Sequence, residues 1–99
     1  MSAEFSSLRE FYPYYLNEHR DPRCRETHFF GITFGLVCLG FAIFTLKLSF
    51  ILLGLAGGYG FAFLGHALYE KNKPATFKYP VYSFFSDFLM YRDMWLNRL

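Results

Sequence analysis

A chain of 99 residues has room for one domain with a modest core. Yet 54% of its residues are hydrophobic and 23% aromatic, rich for a small soluble domain. The net charge of +2 is too weak to point to nucleic acid. Cys24, in a basic segment, and Cys38, inside an apolar run, do not suggest a disulfide framework and fit a reduced, cytoplasm-facing setting. No cleavable signal is visible, because a charged and aromatic preface precedes the first long apolar run.

Residues 1–21 read as an amphipathic interfacial helix. Phe5, Leu8, Tyr12, Tyr15 and His19 recur at spacings of three or four. Ser7 and Glu10 fit a capping box that starts the helix at Leu8. Pro13 removes a backbone donor, which predicts a kink or restart. The aromatic face suits a membrane–water boundary, and Asp21-Pro22 ends the element.

Two apolar runs follow, residues 29–46 and 48–68, divided by Lys47. With their flanks they predict transmembrane helices over residues 26–46 and 48–70, each long enough for a hydrocarbon core of about 30 Å. The alternative, a soluble hairpin buried on all sides, is disfavoured, because a chain this small cannot enclose two helices that are apolar all round. Gly31 and Gly35 on one run, and Gly54 and Gly58 on the other, form small-xxx-small patterns that allow close approach or homo-oligomer contacts. Gly58-Tyr59-Gly60 lies in mid-run, without the re-entrant loop that an ion filter needs. After Pro80, residues 80–98 show helical spacing of Val81, Phe84, Phe85, Phe88 and Trp95, with Ser83, Ser86, Asp87 and Asp93 on a polar side. This predicts a second interfacial helix, anchored by Tyr82, Tyr91 and Trp95 or lying as a lid over the hairpin's mouth. The fold class is therefore all-α: an integral membrane hairpin flanked by two interfacial helices.

A tight hairpin returns both of its flanks to one side of the membrane. Nine of the ten basic residues lie in those flanks and only Lys47 in the connection, so the positive-inside rule puts both termini in the cytoplasm. The membrane is a bacterial inner membrane or the endoplasmic reticulum. His19, His28, His66 and Glu70 then meet at one interface. His66 and Glu70 stand one helical turn apart on one face. His19 and His28 would oppose each other on a continuous helix, but Pro22 breaks it and a turn can bring both inward. Singly, each histidine reads more simply as a polar anchor, Glu70 as a partner for Lys73 or Arg25, and the basic rim as a lure for anionic lipid. Jointly, three imidazoles and a carboxylate match what divalent metals accept.

Three stretches carry a resemblance: Tyr15-Leu16-Asn17-Glu18-His19-Arg20-Asp21-Pro22, Thr27-His28-Phe29-Phe30-Gly31, and residues 65–75, which hold Gly-His-x-x-x-Glu-Lys-x-x-Pro-Ala. They are similar to the Mpo-type family of membrane proteins, whose fungal member is a 2-hydroxy fatty acid dioxygenase. The resemblance implies Fe(II)-dependent α-oxidation of a 2-hydroxy fatty acid with O₂ as co-substrate, giving the acid one carbon shorter. It implies His19, His28 and His66 as iron ligands, with Glu70 as a fourth ligand or as a partner orienting an imidazole. The substrate carboxylate is expected near Arg20, Arg25, Lys71 or Lys73, and the tail in the glycine-lined groove or the bilayer. Cys24 stands where the family often has asparagine, and the fungal member has further apolar segments between the blocks. The competing reading is a non-enzymatic membrane hairpin, an adaptor or lipid-binding protein, whose histidines are structural.

Overall fold

Residues 5–99 are described by a computed structural model and contain no strand. Four α-helices form: α1 (Leu8–Asn17), α2 (Pro22–Thr45), α3 (Leu48–Gly65) and α4 (Pro80–Trp95). A π-helical turn, His66–Glu70, extends α3, and a short 3-10 turn, Ala75–Phe77, precedes α4. The expected interfacial helix at residues 1–21 is thus confined to Leu8–Asn17 in the described part; residues 1–4 lie outside it.

Local chemistry sets the helix ends. Ser7 Oγ accepts the Glu10 amide at 3.2 Å, as a capping box requires. The return contact differs from expectation: the Glu10 carboxylate takes the hydroxyl and amide of Ser6. Helix α1 runs through Pro13 without a restart. Phe11 and Tyr15, two residues to either side, are both buried in one cluster, so packing holds the two halves together. Helix α2 starts earlier than the apolar run does, because Asp21 accepts the Arg23 amide and Pro22 takes the first helical position. Leu46, in the left-handed region at φ 58°, and Lys47 alone join α2 to α3.

At about 1.5 Å per residue, α2 (24 residues) and α3 with its π turn (23 residues) measure roughly 35 Å, enough to cross a membrane. Only 22% and 11% of their apolar windows are buried, whereas the core helix of a soluble protein is mostly buried. At the tip of the hairpin Phe44 and Leu46 are almost fully exposed. The glycines are consumed within the hairpin. A Cβ on Gly31 would stand 2.9 Å from the Gly58 carbonyl oxygen, and one on Gly54 2.9 Å from the Cys38 Cβ. Among the helix glycines, Gly40 and Gly60 face open space.

The two flanking helices depart from the expected picture. The aromatic face of α1 packs against protein: Phe11, Tyr15, Ala75, Tyr79 and Met90 form a buried cluster, ringed by Phe5, Tyr14 and Tyr82. Tyr12 donates to Asp93 at 2.7 Å, tying α1 to α4. Helix α4 is inverted relative to a soluble amphipathic helix. Ser83, Ser86 and Asp93 are buried, while Val81, Phe84, Phe85 and Phe88 are exposed. Of its three expected anchors, Tyr82 stacks on Phe11, Tyr91 hydrogen-bonds Thr33 at 2.8 Å, and Trp95 alone remains largely exposed. Cys24 and Cys38 are both free and buried.

Candidate metal centre

Three elements deliver the three histidines to one point. His19 sits in the turn between α1 and α2, where the Arg25 guanidinium holds its carbonyl at 2.6 Å. His28 lies two turns into α2. His66 opens the π turn at the end of α3, and Gly65 before it lets that end press on α2. A Cβ on Gly65 would meet Thr27 Oγ1 at 2.1 Å and Cys24 Sγ at 3.2 Å. A side chain larger than hydrogen fits there only if Thr27 or one of the two helices shifts.

All three imidazoles are buried. His19 Nε2 lies 3.1 Å from His28 Nε2 and 2.9 Å from His66 Nε2, and the three nitrogens fall within 4.8 Å of one another. Three nitrogens each about 2.0–2.2 Å from one ion stand about 2.8–3.6 Å apart at tetrahedral or octahedral angles. The two spacings to His19 fall in that range.

The opposite ring nitrogens fix the tautomer. His19 Nδ1 faces the Tyr15 carbonyl at 2.7 Å, His28 Nδ1 the Cys24 carbonyl at 2.8 Å, and His66 Nδ1 the Asn72 Oδ1 at 2.6 Å. Each partner is an acceptor, so each Nδ1 carries the proton and each Nε2 presents a lone pair. The Asn72 amide is oriented in turn by donating to the Glu18 carbonyl at 3.3 Å. Three lone pairs therefore converge with no proton between them, an arrangement that repels itself unless a cation sits among them. Protonation is a poor substitute: burial, and then the neighbouring His28 and His66, push His19 down to about 2. Imidazole donors with carbonyl-anchored outer nitrogens suit zinc, iron, copper or nickel.

The remaining predicted residues lie elsewhere. Glu70 is outside the cluster: its carboxylate accepts the Asp21 amide at 2.5 Å, pinning the turn between His19 and His28 to the end of α3. Its part in this geometry is to hold the turn. Arg25 is engaged with the backbone of His19 and Leu16. Arg20, Lys71 and Lys73 are exposed at the same end of the molecule.

Two cavities adjoin the histidines. A small one of about 20 Å³, room for one water-sized molecule, is walled by His19, His28, His66, Tyr15, Ser83 and Asp87 among others. A larger cleft of about 200 Å³ runs from His28 along Gly31, Gly35, Gly54 and Gly58 to Leu39 and Ile51. His28, Tyr59, Ala62 and Asp87 wall both. The sequence pattern put Ser83 and Asp87 only on a polar side of α4, put Tyr15 only on the aromatic face of α1, and gave Asn72 no role. Tyr15 stacks on His19, with centroids 4.0 Å apart, and its hydroxyl donates a short hydrogen bond to Asp87. Burial raises Asp87 to about 7, against the stabilising Tyr15 hydroxyl. One signal was available: Ser83 and Asp87 are four residues apart, on one helical face.

The fold and the site define an all-α hairpin protein, with two helices able to span a membrane and a buried three-histidine group able to hold a metal ion at one end. Residues 5–99 match the family described as 2-hydroxy-palmitic acid dioxygenase Mpo1-like, and the chain belongs to that family. No curated protein and no solved structure gives a significant match. The family description points to dioxygenase chemistry on a hydroxylated fatty acid, and the histidine group gives that chemistry a metal-binding place.

Proposed function

We propose that this protein is an Fe(II)-dependent membrane dioxygenase that shortens 2-hydroxy fatty acids by one carbon. The observation that carries this reading is the convergence of three unprotonated Nε2 atoms, each imidazole locked from behind by a carbonyl. His19, His28 and His66 would hold the iron, whose contribution when bound is to activate O₂ beside the substrate. The reaction balances without a separate reductant. One hydroxy acid and one O₂ give the shorter acid, CO₂ and water. The hydroxylated carbon and the lost carboxyl carbon together surrender the four electrons that reduce O₂.

The chain's own residues supply the rest. The apolar cleft lined by Gly31, Gly35, Gly54 and Gly58 takes the tail and opens among lipid-facing side chains. Arg20, Lys71 and Lys73, exposed at the histidine end, draw anionic amphiphiles to that side. Glu70 and Arg25 hold the His19 turn in register. The excess of basic residues in the flanks supports a cytoplasmic position for this end and for both termini.

The test uses purified protein loaded anaerobically with Fe(II), then given a 2-hydroxy fatty acid and O₂. The expected products are the acid one carbon shorter and CO₂, with iron and product both lost in His66→Ala. No shortened product across several chain lengths, or equal iron in both proteins, overturns the assignment.

A further inference from the structure

We propose that Asp87 and Ser83, one turn apart on the buried side of α4, are the specificity-determining pair that reads the hydroxyl group on the carbon beside the substrate's carboxylate. This rests on the functional reading above and adds which residues separate hydroxy acids from plain fatty acids.

Position is the first argument. Asp87 walls both the small cavity under the histidines and the apolar cleft, and so stands at the boundary between them. A fatty acid with its tail in the cleft and its head toward the histidines passes its second carbon through that junction. The other walls shared by the two cavities are His28, Tyr59 and Ala62, and His28 is already committed to the cluster.

Hydrogen-bonding capacity is the second. One Asp87 oxygen is held by the Tyr15 hydroxyl, which fixes the carboxyl group; no protein donor reaches the other among the described residues. Ser83 is 2% exposed, and of the three buried hydroxyls with no partner among them (Ser83, Ser86 and Tyr79) it is the one that walls the small cavity. A buried hydroxyl without a partner is costly and calls for an explanation. An alcohol donates one hydrogen bond and accepts others. Asp87 accepts its proton, and Ser83 donates to its oxygen. The apolar cleft provides no such pair, so a hydroxyl displaced further down the tail is left unsatisfied, and a plain fatty acid leaves Ser83 unsatisfied.

The test is the ratio of binding constants for 2-hydroxypalmitic and palmitic acid, measured anaerobically by equilibrium dialysis with the iron-loaded protein in lipid nanodiscs. The parent is expected to prefer the hydroxy acid by roughly tenfold or more. Asp87→Asn should bring the ratio close to one, and Ser83→Ala should lower it severalfold. Ser83→Ala removes an atom with no internal partner and so leaves the fold intact. Tyr59→Phe, which deletes the other hydroxyl at the junction, should keep the parental ratio. Iron content, measured in each variant, shows that the histidine cluster survives. A parental ratio near one, parental ratios in both Asp87→Asn and Ser83→Ala, or an equal loss in Tyr59→Phe overturns the proposal while oxidation by the parent still stands. A parent that neither binds nor oxidises either acid overturns the functional reading and this proposal together.

Discussion

Gly65→Ala tests the metal centre without touching a ligand. The added Cβ would lie 2.1 Å from Thr27 Oγ1 and 3.2–3.3 Å from Cys24 Sγ and Cα. Ordinary contact begins near 3.4 Å, so about 1.3 Å must be found. Thr27 yields poorly, because its β-branched side chain is stiff in a helix and its hydroxyl is bonded to the Cys24 carbonyl at 2.7 Å. Overpacking of this kind costs about 1–3 kcal/mol, partly offset by about 0.5–1 kcal/mol from alanine's better helix propensity. Stability therefore changes modestly. The metal centre does not, because ligand distances tolerate only about 0.2 Å and His66 is the next residue. Iron affinity, measured by chelator competition, should fall by more than tenfold. Thr27→Ala in the same chain removes the worst contact and should restore most of the affinity. Gly60→Ala, in open space, should bind iron like the parent. Parental affinity in Gly65→Ala refutes the argument that His66 reaches the cluster only because α3 presses on α2 at this glycine.

Asn72→Ala removes the acceptor that fixes the His66 tautomer and should weaken metal binding by about 10–100-fold, read by the same competition. Asp87 is raised from 3.8 to about 7, so between those values the folded state binds more protons than the unfolded and stability falls as pH rises. Relative to Asp87→Asn, the parent should lose up to about 4 kcal/mol across that window and no more above it, seen as a widening difference in Tm. Met90→Ala, at a fully buried position between α1 and α4, should cost about 2–5 kcal/mol in denaturant titrations in detergent, whereas Val81→Ala on the outward face should cost less than about 0.5 kcal/mol.

The hairpin was legible because the apolar runs at residues 29–46 and 48–68 exceed anything a chain this small can bury. Topology then made the meeting of His19, His28 and His66 legible, since one short connection returns their segments to one end. The role of Glu70 was not legible. On a regular helix it shares a face with His66, but the π turn that begins at His66 changes the register, and its carboxylate meets the Asp21 amide instead. The partner of α1 was not legible either. A stripe such as Phe11 and Tyr15 has the same period whether it faces lipid or another helix, and only the return of α4 decides between them.

The inversion of α4 explains why so short a chain can hold a buried polar site. In water, Val81, Phe84, Phe85 and Phe88 would have to be covered, and Ser83, Ser86 and Asp87 would face solvent. Where the outside is hydrocarbon, that requirement reverses. The apolar side faces outward without penalty, and the polar side turns toward the histidines, where it has something to bond. Polar atoms at that depth stay only where they are satisfied or have a ligand to meet. Tyr12 with Asp93 and Tyr15 with Asp87 meet that demand inside the protein. Among the described residues the buried hydroxyls of Ser83, Ser86 and Tyr79 do not, and of these three Ser83 borders the cavity beneath the converging nitrogens. The fold thus places one of these unmet hydroxyls beside the group able to hold a metal.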